Sequence, residues 1–135
     1  LIFPESLTDL GNVQDAFYNL AIESIDFSHV TSVNAALFSG CAQLKTVIWG
    51  ASTVSARTFS GCSSLTTVTL PAGMKKIYRW AFQHCTSLQT IYIPESVNSI
   101  STDAFSFCPN LTIHAPAGSC AEAYARSYRI PFVAE

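Results

Sequence analysis

Charge is what this sequence has least of. Asp, Glu, Lys and Arg make up 12% of its 135 residues, about half the share of an ordinary globular domain. A disordered segment, which stays unfolded through high net charge and low hydrophobicity, is thereby excluded. Positive charge is not in excess either. The formal net charge is −2 and the sequence pI is near 5.9, which argues against nucleic-acid binding and its basic stripe. Long hydrophobic runs are also missing. Although 49% of residues are hydrophobic, Ser, Thr, Asn, Gly or Pro interrupts every run short of the ~18 residues that cross a bilayer. The five cysteines are an odd number and too sparse for a disulfide scaffold. Length alone predicts one compact unit.

What the sequence does have is a repeat. The pattern Phe-x-x-Cys-x-x-Leu occurs from Phe38 to Leu44, Phe59 to Leu65, Phe82 to Leu88 and Phe105 to Leu111. Its phenylalanines step by 21, 23 and 23 residues (59−38, 82−59, 105−82), and its cysteines step with them. A degenerate earlier copy has Phe17, then Leu20 in the cysteine slot, then Ile22 with one residue deleted. An aliphatic residue recurs five positions before each later Phe: Val33, Val54, Ile77 and Ile100. Periods of 20–29 residues belong to leucine-rich repeats, whereas helical-pair repeats need about 33–47.

Each copy contains one alternating stretch, from Ile25 to Phe27, Val47 to Trp49, Val68 to Leu70 and Ile91 to Ile93. Period two means a short strand with one buried face. The Phe-x-x-Cys-x-x-Leu spacing predicts a one-sided short helix or 3₁₀ turn. A single coil of this kind cannot bury its own apolar face, but stacked coils share one interior. The predicted fold is therefore an α/β repeat: a right-handed leucine-rich-repeat solenoid with short parallel strands on one face and a C-terminal helical cap. Six rungs, from Leu1–Phe3 to Ile113, leave five gaps of about 4.8 Å and a slab roughly 24 Å long.

The solenoid is assigned to residues 1–112 as about five repeats, the first degenerate. Residues 113–135 are assigned to a strand-helix-strand cap within the same domain. Ser119 and Glu122 form a capping box that starts a helix at Ser119, and Arg126 suits its negative end. Leu1–Phe3 reads as already mid-repeat, because it aligns with Ile91–Ile93. That leads to the expectation of further repeats or an upstream domain, or a partner packed on this end.

The segment from Ile93 to Leu111, reading I-P-x-S-V-x-x-I-x-x-x-A-F-x-x-C-x-x-L, resembles the BspA-like leucine-rich repeats. The ending from Gly118 to Ala125, followed by Ile130 to Phe132, is similar to that family's C-terminal cap. Departures are the first copy and the missing post-strand proline at Ser28 and Gly50. The resemblance implies secreted or surface-attached proteins of bacteria and some protozoan parasites, used for adhesion and protein recognition. It implies no catalysis, no cofactor and no shared binding residues.

Cys41, Cys62, Cys85 and Cys108 recur once per turn, so they form a line rather than the converging set a zinc site needs. Free buried thiols are expected, although disulfides between rungs are geometrically conceivable. The Leu20 substitution suggests that the slot asks for a modest apolar group. His84 neighbours Cys85, but a Cys–His nucleophile needs hydrogen-bond convergence and an orienting third group. The Asn110–Thr112 sequon matters only in a glycosylating host.

The concave strand face is the default binding surface of a curved solenoid. Its candidate row is Asp26, Ile48, Thr69, Tyr92 and His114, preceded by Ile2. Beside it runs a row of Ser24, Thr46, Thr67, Thr90 and Thr112. A second candidate patch joins Lys75, Lys76, Tyr78, Arg79 and Trp80, where Trp80 is expected to be exposed and a sugar could stack; the alternative is a Trp lying over a neighbouring turn with Lys stems beside it. The reading is a non-enzymatic extracellular recognition or adhesion module. Its partner is a protein, secondarily a glycan. The alternative is a structural spacer or stalk segment with no ligand of its own.

Overall fold

Threonine and β-branched residues favour a pleated, half-buried backbone, and such triplets recur once per turn here. The computed structural model describes residues 3–11, 15–33 and 36–135. Leu1 and Ile2, part of the expected first rung, lie outside the described residues. The elements in chain order are β1 (Asp9–Gly11), β2 (Ser24–Asp26), β3 (Ser32–Val33), β4 (Thr46–Ile48), β5 (Thr53–Val54) and β6 (Thr67–Thr69). They continue with β7 (Lys76–Ile77), β8 (Thr90–Tyr92), β9 (Ser99–Ile100), β10 (Thr112–Ala115), α1 (Cys120–Ser127) and β11 (Phe132–Ala134). Every pairing among the described residues is parallel, as stacked coils of one solenoid require.

Two ladders climb the stack, where the sequence pattern shows one strand per turn. The longer strands pair as β2-β4-β6 and as β8-β10-β11, and the two-residue strands pair as β5-β7-β9, with β1-β3 alongside. The recurring Val33, Val54, Ile77 and Ile100 end the short strands. Two residues are too few to display an alternation, so periodicity does not reveal that ladder. In the longer strands the central residue points inward: Ile25, Val47, Val68, Ile91 and Ile113 are buried, and most of their neighbours are exposed.

Phe17, Phe38, Phe59, Phe82 and Phe105 form a column of stacked rings. Successive centroids are 5.1, 5.8, 5.4 and 5.1 Å apart, with interplanar angles of 16° or less. Tyr124 of α1 closes the column at 6.1 Å from Phe105. A second aromatic column, Phe3-Phe27-Trp49, meets the first edge-on through Phe27–Phe38 and Trp49–Phe59.

Of the short helix or 3₁₀ turn expected at Phe-x-x-Cys-x-x-Leu, the structure has the second, as successive single turns closed by i→i+3 bonds. Cys41 N–H donates to the Phe38 carbonyl and Leu44 N–H to the Cys41 carbonyl, both at 3.1 Å. Gly40, Gly61, His84 and Phe107, each just before a cysteine, have left-handed backbone with φ of 59–77°. That conformation breaks the helical path and turns the N–H toward the neighbouring coil. Gly40 N–H donates to the Ser60 carbonyl, Gly61 N–H to Gln83 and His84 N–H to Ser106, at 2.7–2.9 Å.

Cys41, Cys62, Cys85 and Cys108 are, like Cys120, free thiols, and these four have a shared task. Each Sγ lies within hydrogen-bond distance of the Phe carbonyl one coil earlier: Cys41 to Phe17, Cys62 to Phe38, Cys85 to Phe59 and Cys108 to Phe82, at 3.0–3.2 Å. The slot therefore takes a small donor rather than merely an apolar group. Leu20, which has no thiol, is exposed instead. Burial, followed by the neighbouring Cys41, pushes the Cys62 thiol up to about 12, and burial raises Cys41 too.

The spacing of 21 rather than 23 residues arises between Trp49 and Val54. That connection is five residues long, whereas Leu70 to Ile77 and Ile93 to Ile100 take seven. The short connection draws Gly50 beneath the preceding loop. A Cβ there would sit 2.3 Å from the Phe27 carbonyl oxygen and 2.8 Å from those of Ser28 and Val30. Trp49 Nε1 donates to the Thr53 carbonyl at 2.9 Å across the same connection.

At the C-terminal end, Ser119 caps α1 by accepting from Glu122 N–H at 3.3 Å. Glu122 reaches back to Gly118 N–H at 2.6 Å, not to Ser119 N–H as a reciprocal box would have it. Ser119 N–H is already donated to the Pro116 carbonyl. Arg126 pairs with Glu122 at 2.7 Å. The chain then returns as β11 beside β10, and β10 straddles the division drawn between residues 112 and 113.

Two outcomes are expected from this packing. Gly50→Ala should lower stability by about 1–3 kcal/mol through overpacking against rigid backbone. Gly73→Ala, whose Cβ meets nothing within 4 Å, should stay within about 0.5 kcal/mol. Urea midpoints for the two variants decide it, and equal losses would refute the close approach. For Cys62, a folded-state pKa above the unfolded value of about 9 makes its contribution complete below pH 9. It is lost as pH rises from 9 toward 12, by about 1.4 kcal/mol per unit. Stability measured at pH 8 and pH 10.5 should fall further in the wild type than in Cys62→Ala, and parallel losses would show that the thiol is not protected.

Candidate binding surfaces

Parallel register aligns equivalent outward residues into rows. Asp26, Ile48 and Thr69 are direct neighbours across β2, β4 and β6. Tyr92, His114 and Val133 are neighbours across β8, β10 and β11. All five row residues read from the sequence thus lie on one side of the longer strands, while Ile2 lies outside the described residues. Between the two triplets, β6 and β8 run side by side without a paired register among the described residues.

Chemically the row is mixed. Ile48 is 42% exposed, Tyr92 45% and Val133 44%. Their neighbours Thr46, Thr67 and Thr90 are the hydroxyl residues expected of a solvated sheet face. Asp26 is engaged by its own loop, accepting from Ser28 N–H at 2.9 Å and Ser28 Oγ–H at 2.7 Å. Those two bonds hold its carboxyl below the usual carboxylate range. His114 Nδ1 lies 3.0 Å from Glu135 Oε1, and Thr90, Tyr92, His114 and Glu135 line a shallow groove. Val133 and Glu135 are absent from the row that the sequence pattern defines. The Phe132-Val-Ala alternation is a signal for the first, but nothing local ties Glu135 to His114.

The second patch lies on the short-strand side. Lys76 is in β7 between Thr53 and Ser99, and Lys75, Tyr78 and Arg79 are exposed. Trp80 is half-buried rather than exposed, because guanidinium groups cover it. Arg57 lies 4.4 Å and Arg79 4.2 Å from its ring centroid. Arg57 belongs to this patch through the preceding coil, a contact that only the stacking register reveals.

The remaining titratable groups do not converge. His84 stacks on Phe107 with centroids 4.5 Å apart and planes 4° from parallel, directed away from a Cys85 thiol that faces the Phe59 carbonyl. His29 meets Glu5 at 3.8 Å on an open surface. Among the described residues no group of three or more His, Cys, Asp or Glu is placed to hold a metal ion. No helix there is long and apolar enough to cross a membrane.

Comparison with known proteins places this geometry. No curated protein matches the chain. A leucine-rich repeat protein from Bacteroides ovatus ATCC 8483 is similar over 100% of the chain, at 31% identity and a TM-score of 0.73. A leucine rich cell surface protein from Faecalibacterium prausnitzii A2-165 is similar over 81%, at 30% identity and a TM-score of 0.55. The T. pallidum leucine-rich repeat protein matches 63% of the chain at 26% identity, with a TM-score of 0.53. The chain spans 42%, 39% and 52% of those three structures. Residues 11–126 match the BspA type leucine rich repeat region in six copies, one more than the sequence pattern shows. With stacked parallel turns and a helix at the end, the chain belongs to the BspA-type leucine-rich-repeat family.

Proposed function

We propose that the chain is a non-enzymatic recognition module that holds a partner protein on the row Asp26, Ile48, Thr69, Tyr92 and His114, extended by Val133. Leucine-rich repeats of this type serve as protein-interaction or surface modules and are generally non-enzymatic. The observation that carries the reading is the exposure of Ile48, Tyr92 and Val133 on a sheet face whose other outward positions are mostly threonine. A large apolar side chain left in water contributes little to folding, whereas at an interface it is desolvated and its burial favours association. Tyr92 beside His114 and Glu135 adds a ring and polar atoms suited to a protein contact.

A surface location and an adhesive role fit the same reading. The Faecalibacterium relative is described as a cell surface protein. A module of this kind, forming about two fifths of such a relative, would act within a longer surface polypeptide.

The test replaces Ile48 and Tyr92 by Thr, the residue their own row carries at Thr69. Binding is read against a panel of immobilised purified extracellular proteins. At least one should bind the wild type and lose tenfold or more in affinity with the double variant, with the thermal midpoint unchanged. If no protein on the panel binds in a way that depends on the row, the proposal fails.

A further inference from the structure

Charge is unevenly distributed along the chain. From residue 27 to residue 94 there is no Asp or Glu, while the same stretch holds Lys45, Arg57, Lys75, Lys76 and Arg79. That stretch is formally +5, and the rest is −7 (nine acidic residues against Arg126 and Arg129). A protein acidic overall thus has a cationic middle. Lys45 is neutralised by Glu23 at 3.4 Å. The other four cations make no ion pair among the described residues, and all four lie in or beside the short-strand ladder.

Two of the four are held in place. Arg57 and Trp80 occupy equivalent positions in successive coils, both with left-handed backbone (φ 62° and 57°). Arg57 N–H donates to the Arg79 carbonyl at 3.1 Å, fixing one coil on the next. Both guanidinium groups then lie against the indole. Stacking restricts a guanidinium without using its N–H donors, so its fork stays free for oxyanions at reduced entropic cost. The same stacking competes with a sugar for the Trp80 ring.

The surroundings identify the chemistry of the partner. Tyr78 separates two grooves. Thr53 and Ser55 line one; Arg79, Ser101 and Thr102 line the other. Hydroxyls, one exposed phenol and cationic forks suit a hydroxyl-rich polyanion; an acidic peptide would use the same arginines but offers fewer groups to the Thr53, Ser55, Ser101 and Thr102 hydroxyls of the two grooves. One bidentate guanidinium satisfies both oxygens of a carboxylate, whereas a sulfate ester offers three terminal oxygens to two guanidiniums. We propose that the Arg57–Trp80–Arg79 cluster, with Lys75, Lys76 and Tyr78, binds a sulfated polysaccharide. Asp103, the carboxylate in the Tyr78–Arg79 groove, opposes that charge and sets an upper limit on affinity. The site lies apart from the row proposed above and does not depend on it.

The experiment measures binding of the 135-residue chain to immobilised dextran sulfate, neutral dextran, polygalacturonate and polyglutamate at two salt concentrations. Dextran sulfate should bind in a salt-sensitive manner. Arg57→Gln with Arg79→Gln should weaken it at least tenfold, and Arg79→Lys, which keeps the charge but loses the fork, about threefold. Trp80→Asn, which tolerates the left-handed backbone, should weaken it several-fold with every cation retained. Asp103→Asn should tighten it, and Lys45→Gln, the loss of one positive charge elsewhere, should change it less than twofold. Thermal midpoints confirm that each variant is folded. The proposal is overturned if dextran sulfate is not bound, or if Lys45→Gln costs as much as the arginine variants. Equal or tighter binding of polygalacturonate, polyglutamate or neutral dextran overturns it as well.

Discussion

Everything in this molecule depends on one constraint: each coil must meet the next with the same shape, one strand spacing away. Equivalent positions therefore meet their own kind. Phenylalanine lies on phenylalanine, threonine beside threonine, and each thiol reaches the same carbonyl of the coil before it. The rule also accounts for the shortage of charge. A charged residue fixed in the repeat would meet an identical charge about 4.8 Å away, a repulsion near 0.9 kcal/mol even at the dielectric of water and larger near protein. Charges survive where the repeat lapses, as at Lys45 beside Glu23, or where something else holds them, as Trp80 does Arg57 and Arg79. Hydroxyls do not repel in this way, and they fill the outward rows.

The same rule makes the core legible from the amino-acid order alone. Period, strand triplets and the aromatic column follow from residues at fixed spacing, because stacking converts a distance along the chain into a contact between coils. Legibility fails where the backbone departs from sequence-local pattern. Two-residue strands carry no periodicity, so the second ladder is invisible in the sequence. Glycine at 40 and 61 marks a left-handed backbone, but His84 and Phe107 adopt it too and give no compositional sign. The thiol's role is obscured by Leu20, which occupies the slot in sequence and leaves the core in space.

The candidate surfaces are legible to a different degree. The row on the longer strands follows from alternation, and its residues do share one face, but Val133 joins it only through the returning β11. The exposure expected of Trp80 is wrong for a physical reason. Its alignment with Arg57 and Asp103 correctly places it outside the core, yet a position outside the core is not an open one when the aligned residue below is a long cation with affinity for aromatic rings. In a solenoid, alignment indicates which residue lies beneath as well as which way a side chain points, and that second use is needed to find Arg57.

The missing register between β6 and β8 has a geometric result for anything that settles on the longer strands. Hydrogen bonds elsewhere in the two coils, such as Phe59 N–H to Ala81 and Gly61 N–H to Gln83, clamp them together along with the Phe59–Phe82 rings. The interruption in pairing therefore lies between coils that are held together on either side of it. It divides the row into two registered triplets, one apolar at Ile48 and one aromatic at Tyr92. A ligand lying across both triplets would span a seam that no strand pairing closes but that backbone bonds and stacked rings elsewhere in the coils hold shut.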